Sequence, residues 1–302
     1  MTTPTPCGTF LPGDADRDRA HSGEIMGLYI ETLSARVRVV LGQNPGFMTG
    51  PGTNTYLVGT RDPILIDTGA GLTAYEEVLR GAIKEANLAA PRTVLITHAH
   101  PDHLGGAETL SCISPDALFH KMPRPAGGEP FDTPFVPIVD GQRFTTDGAT
   151  LEAIYTPGHA NDHCVFYLRE EHALFTGDLV LGTGTVVIPL EGGDMVDYLA
   201  SLEEILTRDL GRIYPGHGPV IPDGRAKIEE YLAHRRMREA QVLDTVSRGI
   251  GEPWRIVEAL YTDVPSVLHP AAEQSVIQHL RKLAAEGKVV LRDAARYELV
   301  SR

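Results

Sequence analysis

Seven side chains able to bind a metal ion stand just after short apolar runs. The densest group is Thr97-His98-Ala99-His100-Pro101-Asp102-His103, which directly follows Val94-Leu95-Ile96. Three imidazoles and one carboxylate thus fall within the six positions from His98 to His103. Borderline nitrogen and oxygen donors of this kind suit zinc. Three further donors follow a strand-like run and a small-residue turn: His159 in Thr156-Pro157-Gly158-His159, Asp178 in Phe175-Thr176-Gly177-Asp178, and His217 in Tyr214-Pro215-Gly216-His217-Gly218. Glycine beside each donor lets the backbone come close to a shared centre. Taken together, the cluster and the three later donors point to a dinuclear metal site.

The elements that must carry these donors are legible as runs between turn residues. Val37–Leu41, Thr55–Val58, Ile64–Ile66, Thr93–Ile96, Leu151–Tyr155, Val165–Leu168 and Ala173–Phe175 read as strands bounded by Gly, Pro or Asp. Leu72–Ala86 carries apolar residues at helical spacing, and Met195–Leu206 repeats the pattern. Asp194 and Asp197 lie at the start of the latter, where carboxylates suit the helix dipole. Strands and helices intermingle, so residues 25–224 are expected to form a mixed α/β (α+β) domain after a flexible tail, 1–24. The character changes after Pro222. Arg225–Val246 reads as one charged helix, with 225–248 as the linking segment. Residues 249–302 then give a short helix (Trp254–Tyr261), a Pro-containing turn, a second helix (Ala272–Ala285) ended by Gly287, and two strand-like pieces, Lys288–Leu291 and Tyr297–Val300. That order is winged-helix-like.

The motif His98-x-His100-x-Asp102-His103, followed by His159, Asp178 and His217, resembles the metallo-β-lactamase superfamily of hydrolases. The resemblance implies a four-layer αββα sandwich with the metals at one edge of its paired sheets. It implies two zinc ions, one held by His98, His100 and His159 and the other by Asp102, His103 and His217, with Asp178 bridging. Asp67, in Ile64-Leu65-Ile66-Asp67-Thr68-Gly69, matches the family's aspartate that orients a ligand histidine. A narrower resemblance rests on Asn44-Pro45-Gly46, Gly52-Thr53-Asn54-Thr55-Tyr56, Asp197-Tyr198-Leu199 and Tyr214-Pro215-Gly216-His217-Gly218-Pro219. These look like the branch with an appended winged helix. That branch includes metallo-β-lactamase-like protein 2, a single-strand endoribonuclease, together with bacterial relatives and fungal polyketide thioesterases. Redox-active di-iron members place a carboxylate where His100 stands, and tRNA-processing members carry a long exosite arm that is not seen between Leu104 and Thr156.

The resemblance implies a metal-bridging hydroxide as nucleophile, aimed at a carbonyl carbon or a phosphorus. Asp102 is expected to take up the nucleophile's proton as well as bind metal. His163 and Tyr198 are further candidates for contacts at the mouth, and Asn44 and Asn54 for shaping a substrate loop. Trp254 is expected to anchor the core of the small domain.

Charge weighs on the choice of substrate without excluding RNA. The chain carries 27 basic and 40 acidic side chains in its 302 residues, a net charge of −13. Residues 1–224 hold 14 basic and 29 acidic groups (−15), and 225–302 hold 13 and 11 (+2). So acidic a catalytic part does not favour a phosphate backbone. The first expectation is therefore a small-molecule substrate with an activated carbonyl: a thioester, lactone, ester or β-lactam. The alternative is a zinc-dependent endoribonuclease whose winged helix grips single-stranded RNA with Arg281, Lys282, Lys288, Arg292 and Arg296. A third reading is a non-catalytic regulator that binds nucleic acid; the complete ligand set argues against it. The small domain could equally serve as a lid, or as a dimerisation surface in a homodimer. No apolar run approaches the ~20 residues of a membrane span, and the three scattered cysteines suit a reducing cytoplasm rather than a disulfide framework.

Overall fold

A computed structural model of the chain describes residues 30–125, 128–129, 132–293 and 296–300. The expected tail, 1–24, with Cys7, lies outside the described residues. Seven strands form the first sheet in chain order: β1 (Ile30–Thr32), β2 (Val37–Leu41), β3 (Asn54–Val58), β4 (Ile64–Ile66), β5 (Thr93–Ile96), β6 (Leu118–Lys121) and β7 (Val136–Pro137). Pairing is antiparallel from β1 to β4 and parallel from β4 to β7. Parallel neighbours need crossovers. Helix α1 (Thr73–Glu85) joins β4 to β5, and α2 (Pro101–Leu104) with α3 (Ala107–Ile113) joins β5 to β6. The second sheet contains β8 (Arg143–Thr146), β9 (Ala149–Tyr155), β10 (Cys164–Leu168), β11 (Ala173–Gly177) and β12 (Ile213–Pro215), in the order β12-β11-β10-β9-β8. Its one parallel pair, β11 with β12, is bridged by α4 (Met195–Leu206). Asp194 caps α4, accepting from the amides of Val196 (2.7 Å) and Asp197 (3.0 Å).

Strand alternation sorts the side chains into layers. Tyr56, Ile66 and Leu95 of the first sheet meet Phe166, Phe175 and Tyr214 of the second between the sheets. The intervening residues face outward: Leu57, Leu65 and Val94 pack on Tyr75 and Leu79 of α1, whereas Val165 and Leu174 pack on Tyr198 and Leu202 of α4. This is the four-layer αββα arrangement.

Helix α5 (Gly224–Ser247) belongs to both halves of the molecule. Its first turns place Ile228 and Tyr231 in the core beneath the second sheet. Its last turns place Val242 and Val246 in a separate core with α6 (Pro253–Leu260), α7 (His269–Ala285) and the hairpin of β13 (Val289–Leu291) and β14 (Tyr297–Leu299). A short 3-10 turn, Ser266–Leu268, leads into α7. Trp254 does not anchor this core. It is 41% exposed, with its indole N–H donating to Glu258, because the buried face of α6 is made by Ile256 and Val257. Among the described residues, no helix is long and apolar enough to cross a membrane.

Candidate metal centre

The ends of β5, β9, β11 and β12 converge at one edge of the sandwich, and each delivers donors in the turn that follows. The two sheets are tied there. Asn54 N–H donates to Gly216 O (2.7 Å), and its side-chain amide donates to Pro215 O (3.0 Å) and Gly218 O (2.8 Å). Asn54 therefore holds the His217 turn against the first sheet. Asn44 braces the neighbouring loop in the same way, accepting from Thr53 N–H (2.9 Å) and donating to Thr53 Oγ1 (3.0 Å).

Two groups of donors result: His98, His100, His159 and Asp178, and beside it Asp102, His103 and His217. In each group, one ligand atom from every residue lies within 4.8 Å of the others. Asp178 sits between the groups, with Oδ2 3.5 Å from His159 Nε2 and Oδ1 3.4 Å from His103 Nε2 and 3.3 Å from His217 Nε2. Asp102 Oδ2 lies 3.2 Å from His217 Nε2 and accepts from Thr53 Oγ1 at 3.2 Å. Close approach is built into the turns. A Cβ on Gly216 would stand 2.9 Å from both Asp178 Oδ1 and His103 Cε1. At Gly158, with φ +136°, it would collide with the Tyr198 backbone nitrogen at 2.4 Å.

Hydrogen bonds from behind fix which ring nitrogen faces the centre. Asp67 is buried and accepts from Thr97 N–H (2.8 Å), Thr97 Oγ1 (2.9 Å) and His103 Nδ1 (2.7 Å). Because Thr97 gives its only hydroxyl proton to Asp67, its oxygen accepts from His98 Nδ1 at 3.0 Å. His159 Nδ1 donates to Val187 O at 2.8 Å. In His98, His103 and His159 the proton is thus held at Nδ1, and the Nε2 lone pair is left for a metal. His103 Nε2 and Asp178 Oδ1 are buried with no hydrogen-bond partner. A buried ring nitrogen facing an unpaired carboxylate oxygen is costly unless a cation, either a proton or a metal ion, lies between them, so the donor set fits a metal centre.

The charges agree with that fit. Burial, reinforced by the neighbouring rings, pushes the imidazole of His98 down and takes that of His100 to about 4; burial also lowers His159, although Asp178 and the Val187 carbonyl oppose it. Burial acts the other way on Asp102 and Asp178, but His103 and His217 outweigh it and hold both carboxyls below the usual range. Burial would lower His103, yet Asp178, Asp67 and Asp102 together raise it. A metal would replace that trapped proton.

Two expected mouth residues are elsewhere. Tyr198 is fully buried on the apolar face of α4; its hydroxyl donates to Leu179 O (2.8 Å) and Arg235 lies 5.2 Å over its ring. It supports the site from beneath and cannot meet a substrate. His163 is also fully buried. Its Nε2 accepts from Asp178 N–H (3.2 Å), so Nδ1 donates to Thr156 Oγ1 (2.9 Å), and it positions the Asp178 turn without reaching the cleft. The sequence pattern assigned no role to Thr97, Thr53 or the Val187 carbonyl. Thr97 and Thr53 stand beside motif residues, a signal that could have found them; Val187 acts through its backbone and gives none.

A cleft of about 640 Å³ opens over His100, Asp102, His159, Asp178 and His217. No Lys or Arg lines it among the described residues. Its walls come from the 47–51 loop, the segment 181–189 and Leu268, Ala271 and Gln274 of the small domain. The basic residues expected to form a strip have acidic or carbonyl partners. Lys282 reaches Glu239 (2.8 Å) and Glu286 (2.6 Å), Lys288 reaches Glu286 (2.7 Å), Arg292 and Arg296 reach Glu298 (3.5 and 3.7 Å), and Arg281 donates to Leu190 O (3.3 Å).

Comparison with known proteins gives the same architecture. Residues 48–217 match the family model of the metallo-beta-lactamase superfamily, and residues 253–296 match that of the beta-lactamase associated winged helix domain. A beta-lactamase-like protein 2 homolog of Drosophila melanogaster is 38% identical over 272 residues, covering 86% of this chain and 91% of its own. An atrochrysone carboxyl ACP thioesterase of Aspergillus novofumigatus is 38% identical over 277 residues, covering 86% of this chain and 82% of its own. A metallo-beta-lactamase family protein of Thermus thermophilus superposes with a TM-score of 0.75 at 24% identity, covering 89% of this chain and 100% of its own.

Proposed function

The chain belongs to the metallo-β-lactamase superfamily of hydrolases, and from that premise we propose that it is a dinuclear, zinc-dependent hydrolase of a small molecule's activated carbonyl. The observation that carries this reading is the cleft: its floor gathers the His and Asp donors, and no Lys or Arg lines it among the described residues. A polyanionic phosphodiester chain needs cations along its path. A neutral thioester, lactone, ester or β-lactam does not. Relatives named as acyl carrier protein thioesterases support the same chemistry, as does the pairing of the basic residues of the small domain.

His98, His100, His159, Asp102, His103 and His217 would hold the two ions, with Asp178 between them. When bound, zinc supplies Lewis-acid polarisation of the carbonyl oxygen and brings the pKa of a water towards ~7. The chain's own contribution is placement and proton handling. Thr53 fixes one oxygen of Asp102, and this carboxylate, on the cleft floor, takes the proton as the water oxygen bonds to the carbonyl carbon. For a thioester the C–S bond then breaks, and the thiol departs with a proton.

The test is a panel of acyl thioester, lactone, aryl ester and β-lactam substrates, run beside an end-labelled single-stranded RNA. Zinc-loaded protein is compared with its Asp102→Ala variant. Hydrolysis of at least one carbonyl substrate by wild type alone, with the RNA intact, is the expected result. Cleavage of the RNA by wild type alone, with every carbonyl substrate untouched, would overturn the proposal in favour of an endoribonuclease.

A further inference from the structure

We propose that the small C-terminal domain is the specificity wall of the metal cleft, and that it selects a substrate with a bulky, uncharged apolar acyl group beside the scissile carbonyl. The inference rests on the carbonyl reading and adds to it the substrate class. Three segments from distant regions of the chain face one another across the cleft. The first is the 44–53 loop, which exposes Phe47 (65%) and Met48 (59%) at its tip. That loop is built, not slack: Gly46 N–H donates to Gly50 O (3.0 Å), and Thr49 Oγ1 donates to Asn44 O (2.7 Å). The second is the segment 181–189, whose Leu181, Val187 and Pro189 add apolar surface. The third is the start of α7, which brings Leu268, Ala271 and Gln274 to the same space.

The third wall is firmly held. Gln278, almost fully buried one turn beyond Gln274, donates to Pro189 O (2.6 Å) and Gly193 O (3.0 Å). From the other side, Arg235 of α5 donates to Val186 O (2.5 Å). The small domain and the 181–189 segment are therefore clamped together, and the distance between them is set by these hydrogen bonds. A volume of about 640 Å³ is that of a site for a drug-sized ligand. An acetyl group on the metals would leave the outer region filled with water, with Phe47 and Met48 still wet. A flat or branched acyl group would cover them, and an exposed aromatic ring beside a thioether suits an aromatic partner. Among the described residues no Lys or Arg lines the cleft, so its walls supply no cationic partner for a second carboxylate or phosphate on that group.

The experiment compares acetyl, hexanoyl, succinyl and 2-naphthoyl thioesters of N-acetylcysteamine as substrates, and binding of acetate and 2-naphthoate to the zinc-loaded full-length protein by calorimetry. Wild type is expected to show at least tenfold higher kcat/KM for 2-naphthoyl than for acetyl, and at least tenfold tighter binding of 2-naphthoate than of acetate. Ala271→Trp, at a half-exposed position that overfills no core, should reduce both ratios at least tenfold. Gln274→Arg, which adds a cation to the wall, should instead raise succinyl over hexanoyl turnover. Thioesters hydrolysed without discrimination, and ratios unmoved by either variant, would overturn the wall and leave the hydrolase standing. Discrimination between the acids without turnover of any thioester, lactone, ester or β-lactam would keep the wall and overturn the carbonyl reading.

Discussion

Asp67→Asn is the sharpest probe of how this chain prepares its metal ligands. Asparagine keeps the shape and tolerates the left-handed backbone at this position, φ +59°, so any effect comes from replacing one acceptor oxygen by a donor. With the amide oxygen towards Thr97 N–H, the NH2 faces His103 Nδ1. That nitrogen must then accept, so its proton moves to Nε2, the atom 3.5 Å from Asp102 Oδ2 and 3.4 Å from Asp178 Oδ1. A protonated Nε2 cannot ligate. In the opposite orientation the NH2 faces the Thr97 N–H, and a buried donor is orphaned at a cost of about 1–3 kcal/mol. The two choices are similarly unfavourable, so the loss is not avoided by rotating the amide. Outer partners of metal-binding histidines typically change affinity ~10–100-fold, which corresponds to about 1.4–2.8 kcal/mol. Competition of metal-free protein against a coloured zinc chelator should therefore show the Asp102/His103/His217 equivalent weakened ~10–100-fold. The other equivalent should weaken less, because Asp67 reaches His98 only through Thr97. Two equivalents bound as tightly as in wild type would refute the tautomer argument.

Two further outcomes follow from the same network. Gln278→Ala leaves Pro189 O and Gly193 O, both half-buried, without their donor, a loss of about 0.5–1.5 kcal/mol per bond; the urea midpoint should fall, and zinc affinity should fall with it, because Val187 O on the same segment holds His159. An unchanged midpoint would show that the clamp carries no stability. For the metal-free protein, pH acts through the buried imidazoles. His100, with a folded value of about 4 against 6.5 unfolded, binds its proton more readily when unfolded, and His98, His159 and His163 are lowered in the same sense. Stability must then fall as pH drops from about 6.5 towards 4. His103 works in the opposite sense, since its raised value adds stability below 6.5 that is lost as pH climbs through it, but one group opposes four. Urea midpoints measured with chelator present between pH 7.5 and 4.5 should fall steadily, and a flat profile would contradict the assignment.

The elements most legible in the sequence are those whose inner and outer faces are both apolar. β3, β4, β5 and β11 lie between two packed layers and read as short, mainly apolar runs. Helix α4 carries its full period together with an Asp cap, and its expected limits, Met195–Leu206, are those of the structure. β6 and β8 were not expected as strands. Leu118-Phe119-His120-Lys121 ends in a lysine that is buried only because Asp162 (2.8 Å) and Glu129 (2.9 Å) neutralise it. Arg143-Phe144-Thr145-Thr146 buries only Phe144. Such strands are fixed by partners remote in the chain, which local pattern does not contain. The same division runs through the site. Donor types and the Gly beside them were readable. Asp67 was readable too, through the resemblance, as the carboxylate that orients a ligand histidine; which nitrogen of His98 and His159 faces inward depends on Thr97 and the Val187 carbonyl, and whether Tyr198 meets the cleft depends on the rotation of α4. The sequence offered a lid as one role of the small domain but not the residues that line the cleft, since Leu268, Ala271 and Gln274 have no unusual chemistry until the fold sets them opposite Phe47.

The segment between β11 and α4 shows why the two domains are better understood as one catalytic unit. Its backbone has acceptors on two sides: Val187 O fixes the His159 ring, and Pro189 O and Gly193 O are gripped by Gln278 of α7. Arg235 of α5 holds Val186 O from beneath while its guanidinium lies over Tyr198, the residue against which Gly158 packs at the head of the His159 turn. A displaced small domain would thus release the 186–193 segment, and with it the acceptor that keeps His159 Nε2 free for metal. Helix α5, rooted in both cores, makes independent motion of the two domains costly, since its apolar residues on either side would have to leave their layers. An appended domain that served only to grip a distant nucleic acid would need none of these buried ties to the metal turn. A domain that completes the cleft and holds its geometry needs all of them.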